Sequence, residues 1–184
     1  MTDTAETDAE GGPVRFMQQL VSLDYAVRVS PVSRRFGSQL HAGHLVGHRC
    51  PSCSLVYLPP KGYCPICTVA TGEEHEVEVA DRGTVTGWTV LTPIQYHGQK
   101  ERADYALASI LLDGADGTIG QQRLLDIPLD EIRMGLRVEA VWAAPADRGG
   151  SGDDRGWGFG TAITGWQATG EPNVDPAELQ AHTL

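Results

Sequence analysis

Between residues 73 and 168, apolar and polar positions alternate in short runs separated by Gly, Asp and Pro, the period of half-buried strands. "EEHEVEVADRGTVTGWTVLTP" reads as one long strand or two collinear ones, with Gly83 available for a bulge or bend. "DYALASILLDG" is a second strand ended by Asp113 and Gly114, and "GTIGQQRLLD" a third. "IPLDEIRMG" is a short helical turn before a fourth strand, "LRVEAVWAA", and "WGFGTAITGWQ" a fifth after the acidic, Gly-rich loop "APADRGGSGDDRG". Five strands with one turn before the fourth predict a small closed barrel of OB type, the closure that leaves no long exposed edge.

The amino-terminal third has a different period. "VRFMQQLVSLDYAV", 14 to 27, places Val14, Phe16, Met17, Leu20, Val21 and Leu23 at helical spacing, giving one apolar face that needs a cover. Ser33 is placed to cap a further short helix through Arg35, Phe36, Leu40 and His41, which Gly43 ends. The expected organisation is a disordered acidic leader 1–13, a helical arm 14–44, a metal ribbon 45–72, the OB barrel 73–168 and a polar tail 169–184 lying on the surface or on a partner. The fold class is mainly β.

The chain has 184 residues, enough for one core with a small module attached. No run approaches the ~18 apolar residues of a membrane span, and the acidic start is unlike a signal peptide, so the expected compartment is the cytoplasm and no membrane partner is expected. No G-x-S-x-G, P-loop or dinucleotide-binding signature is present, and the six histidines do not organise into a catalytic set. Tyr96 and His97 sit in the loop after the first long strand, placed to enter a partner's cavity.

All four cysteines lie in "HRCPSCSLVYLPPKGYCPIC", as two C-x-x-C pairs ten residues apart. A redox pair belongs at a helix start, and disulfides are disfavoured in a reducing cytosol. Two C-x-x-C turns folded together by a hairpin complete a tetrahedron of thiolates. Cys50, Cys53, Cys64 and Cys67 are therefore assigned to one structural site, with zinc the best-suited ion and iron the rubredoxin-like alternative. Four protein ligands leave no open position, so the ion serves folding and not catalysis. His48 is expected on the ribbon surface. Ser54 and Thr68 stand where such knuckles often have Gly, a departure from the usual positive-φ position.

Net charge is −10, which disfavours general nucleic-acid binding. Residues 25–72, however, hold five bases and no acid: Arg28, Arg34, Arg35, Arg49 and Lys61. This electropositive island either neutralises a tetrathiolate site of formal charge −2 or meets an anionic ligand or acidic partner.

The fragments "SRRFGSQL", "LVGHRCPSCSLVYLPPKGYCPIC", "RGTVTGWTVL", "DYALASILLDG", "MGLRVEAVW" and "ITGWQATGEPN", spanning about residues 33 to 173, give a chain that resembles the zinc-ribbon and OB-fold proteins of acyl-CoA metabolism. Those are accessory subunits of thiolase-fold enzymes and of thiolase-like aldolases. The resemblance implies a non-catalytic subunit that binds and stabilises a thiolase-fold partner in a heterotetramer. The partner's expected reaction is retro-aldol cleavage of a β-hydroxyacyl-CoA in steroid side-chain degradation, with a CoA ester as a possible shared ligand. The alternatives are a partner of a degradative or biosynthetic thiolase, or a nucleic-acid-binding module. On this reading Arg34, Arg35, Phe36, Tyr96 and His97 are the partner- or CoA-facing residues, and no catalytic residue is implied.

Overall fold

The computed structural model describes residues 21, 28–93, 101–148 and 162–182. The leader, the helical segment expected over 14–27 apart from Val21, the loop residues Tyr96 and His97, and residues 149–161 lie outside them. Among the described residues no helix is long and apolar enough to cross a membrane.

Helix α1 spans Pro31–Ala42. Its cap is Ser30, three residues before the expected Ser33: the Ser30 hydroxyl accepts from the Ser33 amide at 3.1 Å. Pro31, with no N–H to satisfy and φ preset for a helix, takes the first helical position. The helix stops at Gly43, whose φ of 93° lets the Gly43 and His44 amides turn back onto the Leu40 and Gln39 carbonyls. Phe36, Gly37 and Leu40 form its buried face.

That face packs on a three-stranded antiparallel sheet in the order β2-β1-β3, with β1 Leu45–Arg49, β2 Val56–Tyr57 and β3 Glu76–Val79. The long alternating run after the cysteines is thus two strands of two different sheets. It breaks at Ala80 and Asp81, and β3 returns to pair with β1, with Leu45 opposite Val79 and Gly47 opposite Val77.

β4 Arg82–Leu91, β5 Tyr105–Leu112, β6 Thr118–Arg123, β7 Arg137–Trp142 and β8 Ile163–Ala168 make the second sheet, ordered β6-β5-β4-β7-β8. A parallel bridge between Leu124 and Trp166, with the Leu125 amide on the Trp166 carbonyl at 2.8 Å, joins its two edges and closes the barrel. This is the expected five-stranded OB topology. The bulge lies between Val85 and Gly87 and not at Gly83. Gly83 is required for another reason: a Cβ there would stand 2.3 Å from the Leu111 carbonyl oxygen. Val85, Ile110, Val138 and Trp166 fill the barrel, and β5 sends every second residue from Ala106 to Leu112 inward.

Ribbon and barrel share one apolar cluster that runs from Phe36, Leu40 and Val56 through Val79 to Val85 and Ile110. Asp116 clamps the junction, its amide donating to the Val56 carbonyl and its carboxylate accepting from the Val56 amide, both at 2.8 Å. The segment after β8 also packs back: the Val174 amide donates to the Gly135 carbonyl, and Leu179 is buried.

Arg137 ties these pieces together. Its guanidinium donates to both oxygens of Asp113 at 2.7 and 2.6 Å, to Thr84 at 2.9 Å and to Glu171 at 3.2 Å. Those acceptors hold its pKa above the ordinary arginine value, the Asp113 bonds foremost. Arg137→Met is expected to cost about 2 kcal/mol in urea denaturation, below the range for a fully buried pair because Asp113 stays 41% exposed and water can solvate it. A loss below about 0.5 kcal/mol, the range of ordinary surface changes, would show that the network is only decorative.

Candidate metal centre

The two cysteine pairs build the same turn twice. In the first, the Cys50 amide donates to the Leu55 carbonyl at 2.8 Å and the Ser54 amide to the Cys50 carbonyl at 2.9 Å. In the second, Cys64 to Val69 and Thr68 to Cys64 repeat both bonds at the same lengths. The amides of Ser52 and Cys53 point at Cys50 Sγ at 3.4 and 3.5 Å, and those of Ile66 and Cys67 at Cys64 Sγ at 3.4 Å each. Ser54 and Thr68 adopt φ of 63° and 59°. The positive-φ knuckle therefore forms without glycine, and the departure noted in the sequence leaves its geometry unchanged.

The four Sγ atoms lie within 4.8 Å of one another, with Cys53 and Cys64 at 3.7 Å. Four thiolates at about 2.3 Å from a tetrahedral ion stand about 3.8 Å apart, so the donor set fits such an ion. Cys50 and Cys64 are buried, while Cys53 and Cys67 are partly exposed. Without a cation the site cannot hold four negative charges. Amide hydrogen bonds, led by that from Cys53, lower the Cys50 pKa to about 6 against the effect of burial. Cys53 receives a bond from the Leu55 amide, but burial and its contacts with Cys67, Cys50 and Cys64 push it up to about 12. One thiol readily ionises while its neighbour holds its proton, and a divalent cation is what lets all four bind as thiolates.

Beside this centre lies a buried polar chain that the sequence reading missed. His48, expected at the surface, is 2% exposed, because the face of β1 that carries it is covered. Its Nδ1 meets Thr71 Oγ1 at 2.9 Å, and the Tyr57 hydroxyl meets the same oxygen at 2.8 Å. Burial lowers the His48 pKa and raises that of Tyr57. The available signal was the apolar character of β1's neighbours in "HLVGHR", which suits a strand covered on both faces. A cleft of about 100 Å³ separates α1 from this sheet, walled by Val32, Phe36, Val46 and Pro60 with His48 at its side.

The other site residues separate. Arg34 is exposed on α1. Phe36, expected to face a partner, is buried in the shared core because it lies on the same helix face as Leu40. Arg35 lies half-exposed along the ribbon sheet, donating to Glu76 from Nε and, at 2.9 Å, from Nη2, with Glu73 at 3.3 Å. Its charge is engaged within the chain. Arg35 in turn holds the Glu76 carboxyl below its ordinary 4.5. A depressed carboxyl pKa adds stability above the unfolded value and loses it as pH falls through the folded one. The stability gap between wild type and Glu76→Gln is therefore expected to be widest near neutrality and to close on acidification below 4.5. A gap that stays constant across a urea-denaturation pH series would refute the pairing.

A four-cysteine ribbon joined to an OB barrel through one core defines the class of this protein. Within it, residues 76–143 match the model of ChsH2 C-terminal OB-fold domains. A DUF35 domain-containing scaffold protein of Methanocaldococcus jannaschii is 28% identical over 132 residues, 72% of this chain and 91% of that protein. The Ltp2-ChsH2(DUF35) aldolase structure superposes with a TM-score of 0.50 at 21% identity, covering 65% of this chain and 90% of that one, a likeness of fold. A DUF35 protein of unknown function from Sulfolobus solfataricus is 18% identical, covers 60% of this chain and 78% of its own, and has a TM-score of 0.48.

Proposed function

We propose that this chain is a non-catalytic scaffold subunit of an acyl-CoA enzyme, with zinc in the four-cysteine site as a structural ion. The observation that carries this reading is the closed donor set: with four thiols converging on one point, an ion there has no position for substrate or water, so its work is to hold the ribbon. The curated scaffold relative and the ChsH2-type barrel support an assembly role. The partner is a thiolase-fold subunit, an aldolase that makes the retro-aldol cleavage of a β-hydroxyacyl-CoA in steroid side-chain degradation, and the two chains form a heterotetramer in the cytoplasm. A CoA ester would be the ligand that the two chains share.

Among the described residues, four histidines bond to a backbone group, a carboxylate or a buried hydroxyl, with no cysteine or serine among these partners. His48 binds Thr71, His41 the Arg148 carbonyl, His44 the Glu78 carboxylate and His75 the Gly72 amide. The purified chain is expected to be inert toward acyl-CoA esters. Affinity purification of a tagged copy from its native host, with mass spectrometry of the eluate, tests the reading. A thiolase-fold protein in near-stoichiometric amount supports it, with cleavage activity only in the mixture. Nucleic acid in the eluate, or turnover by the chain alone, overturns it.

A further inference from the structure

The duplicated turn supplies an internal control. The two knuckles make the same backbone bonds and the same amide-to-sulfur contacts, so whatever side chains differ between them are not required by the metal geometry. At the tip, the first carries Ser52 and the second Ile66; one residue before the first cysteine, the first carries Arg49 and the second Tyr63. Ile66 is 71% exposed, Tyr63 50% and Val69 38%. Val69 stands where the first knuckle has the equally apolar Leu55, so the twins differ in character at the tip and before the first cysteine, where Ser52 and Arg49 are structurally sufficient.

The charge around the apolar knuckle is also unspent. On the helix and ribbon, Arg28, Arg34, Arg49 and Lys61 have no carboxylate within ion-pair distance among the described residues, in a chain that holds 24 acids. Lys61 lies two residues before Tyr63, and Gly62 between them packs against Val32 in the first turn of α1. A tetrathiolate site of formal charge −2 would draw cations inward, yet Arg34 and Lys61 are exposed.

We propose that the second knuckle is the docking anchor of this chain: Ile66, flanked by Tyr63 and Val69, enters an apolar pocket of the enzyme subunit, and a carboxylate at the edge of that pocket meets Lys61. This rests on the scaffold reading above and names the surface it uses. Apolar anchors seated in desolvated pockets carry most of the energy of an interface, while rim charges set its salt dependence.

The test uses the full zinc-loaded chain and the thiolase-fold subunit that co-purifies with it, titrated by calorimetry. Ile66→Ser and Tyr63→Arg install the residues that the first knuckle already tolerates, so zinc content and circular dichroism should stay at wild-type values. Each is expected to weaken binding about 10-fold, and both together about 100-fold. Lys61→Glu should weaken it about 5-fold at low salt and less at high salt. Leu129→Ser, on the barrel, should leave the affinity unchanged. Binding by the double variant within about 2-fold of wild type overturns this inference and leaves the scaffold reading standing, since 2-fold is well under half the energy of a tenfold change. No binding by wild type overturns both.

Discussion

Serine in place of Cys50 is expected to strip the chain of its ion and to unfold the ribbon while the barrel persists. The knuckles' own core is Tyr57 packed among the four cysteines, too little apolar surface to hold their turns, whereas the β1 and β3 residues Leu45 and Val79 pack in the core shared with the barrel. Structural zinc contributes on the order of 10 kcal/mol to such a module, and three thiolates hold it far more weakly than four. The expected readouts are a drop from one bound ion to none after dialysis against a mild chelator, and loss of amide protection over residues 50–71. Protection in β5 and β7 should survive, because the barrel closes through its own strands. Ser52→Ala, at the same knuckle but on its outer surface, should change neither. A Cys50→Ser chain that keeps a stoichiometric ion and a protected ribbon would show that the cysteines do not act as one site.

Trp166→Ala should be the most damaging single change in the barrel, costing about 4 kcal/mol in denaturant unfolding. Trp166 is fully buried, sits on β8 where that strand meets the end of β6, and donates through Nε1 to Gln122 at 3.0 Å. Truncation removes the largest side chain of the core and leaves Gln122 without that donor. Against a typical total of 5–15 kcal/mol, this brings the domain close to its unfolding threshold. Trp166→Phe retains most of the volume and loses the hydrogen bond, so about 1–2 kcal/mol is expected. If alanine and phenylalanine cost the same, the hydrogen bond and not the packing would be holding the barrel shut.

The strands from β4 to β8 were legible because alternation and turn residues are local signals: Tyr105–Leu112 has the same period in isolation as in the barrel. The allegiance of Glu76–Val79 was not. Its alternating pattern suits either sheet, and only the pairing with Leu45–His48 assigns it to the ribbon. Arg35 and Phe36 show the same limit. Two neighbours on one helix, both expected to face a partner or CoA, part company: the 3.6-residue period sends Phe36 into the core with Leu40, and Glu76, 41 residues away, holds the half-exposed Arg35 against the ribbon sheet.

The spacing of Cys50, Cys53, Cys64 and Cys67 was sufficient by itself to define a four-ligand set, because C-x-x-C turns constrain sulfur positions through a few backbone torsions. Short-range periodicity likewise specified five barrel strands. What surrounds those elements was decided only by the tertiary structure. The burial of His48, the capture of β3 by the ribbon and the exposure of Ile66 against its polar twin Ser52 all depend on which distant segment covers which face. Such choices are made by the shared core, where apolar area from α1, ribbon and barrel is removed from water together, and no local pattern encodes them.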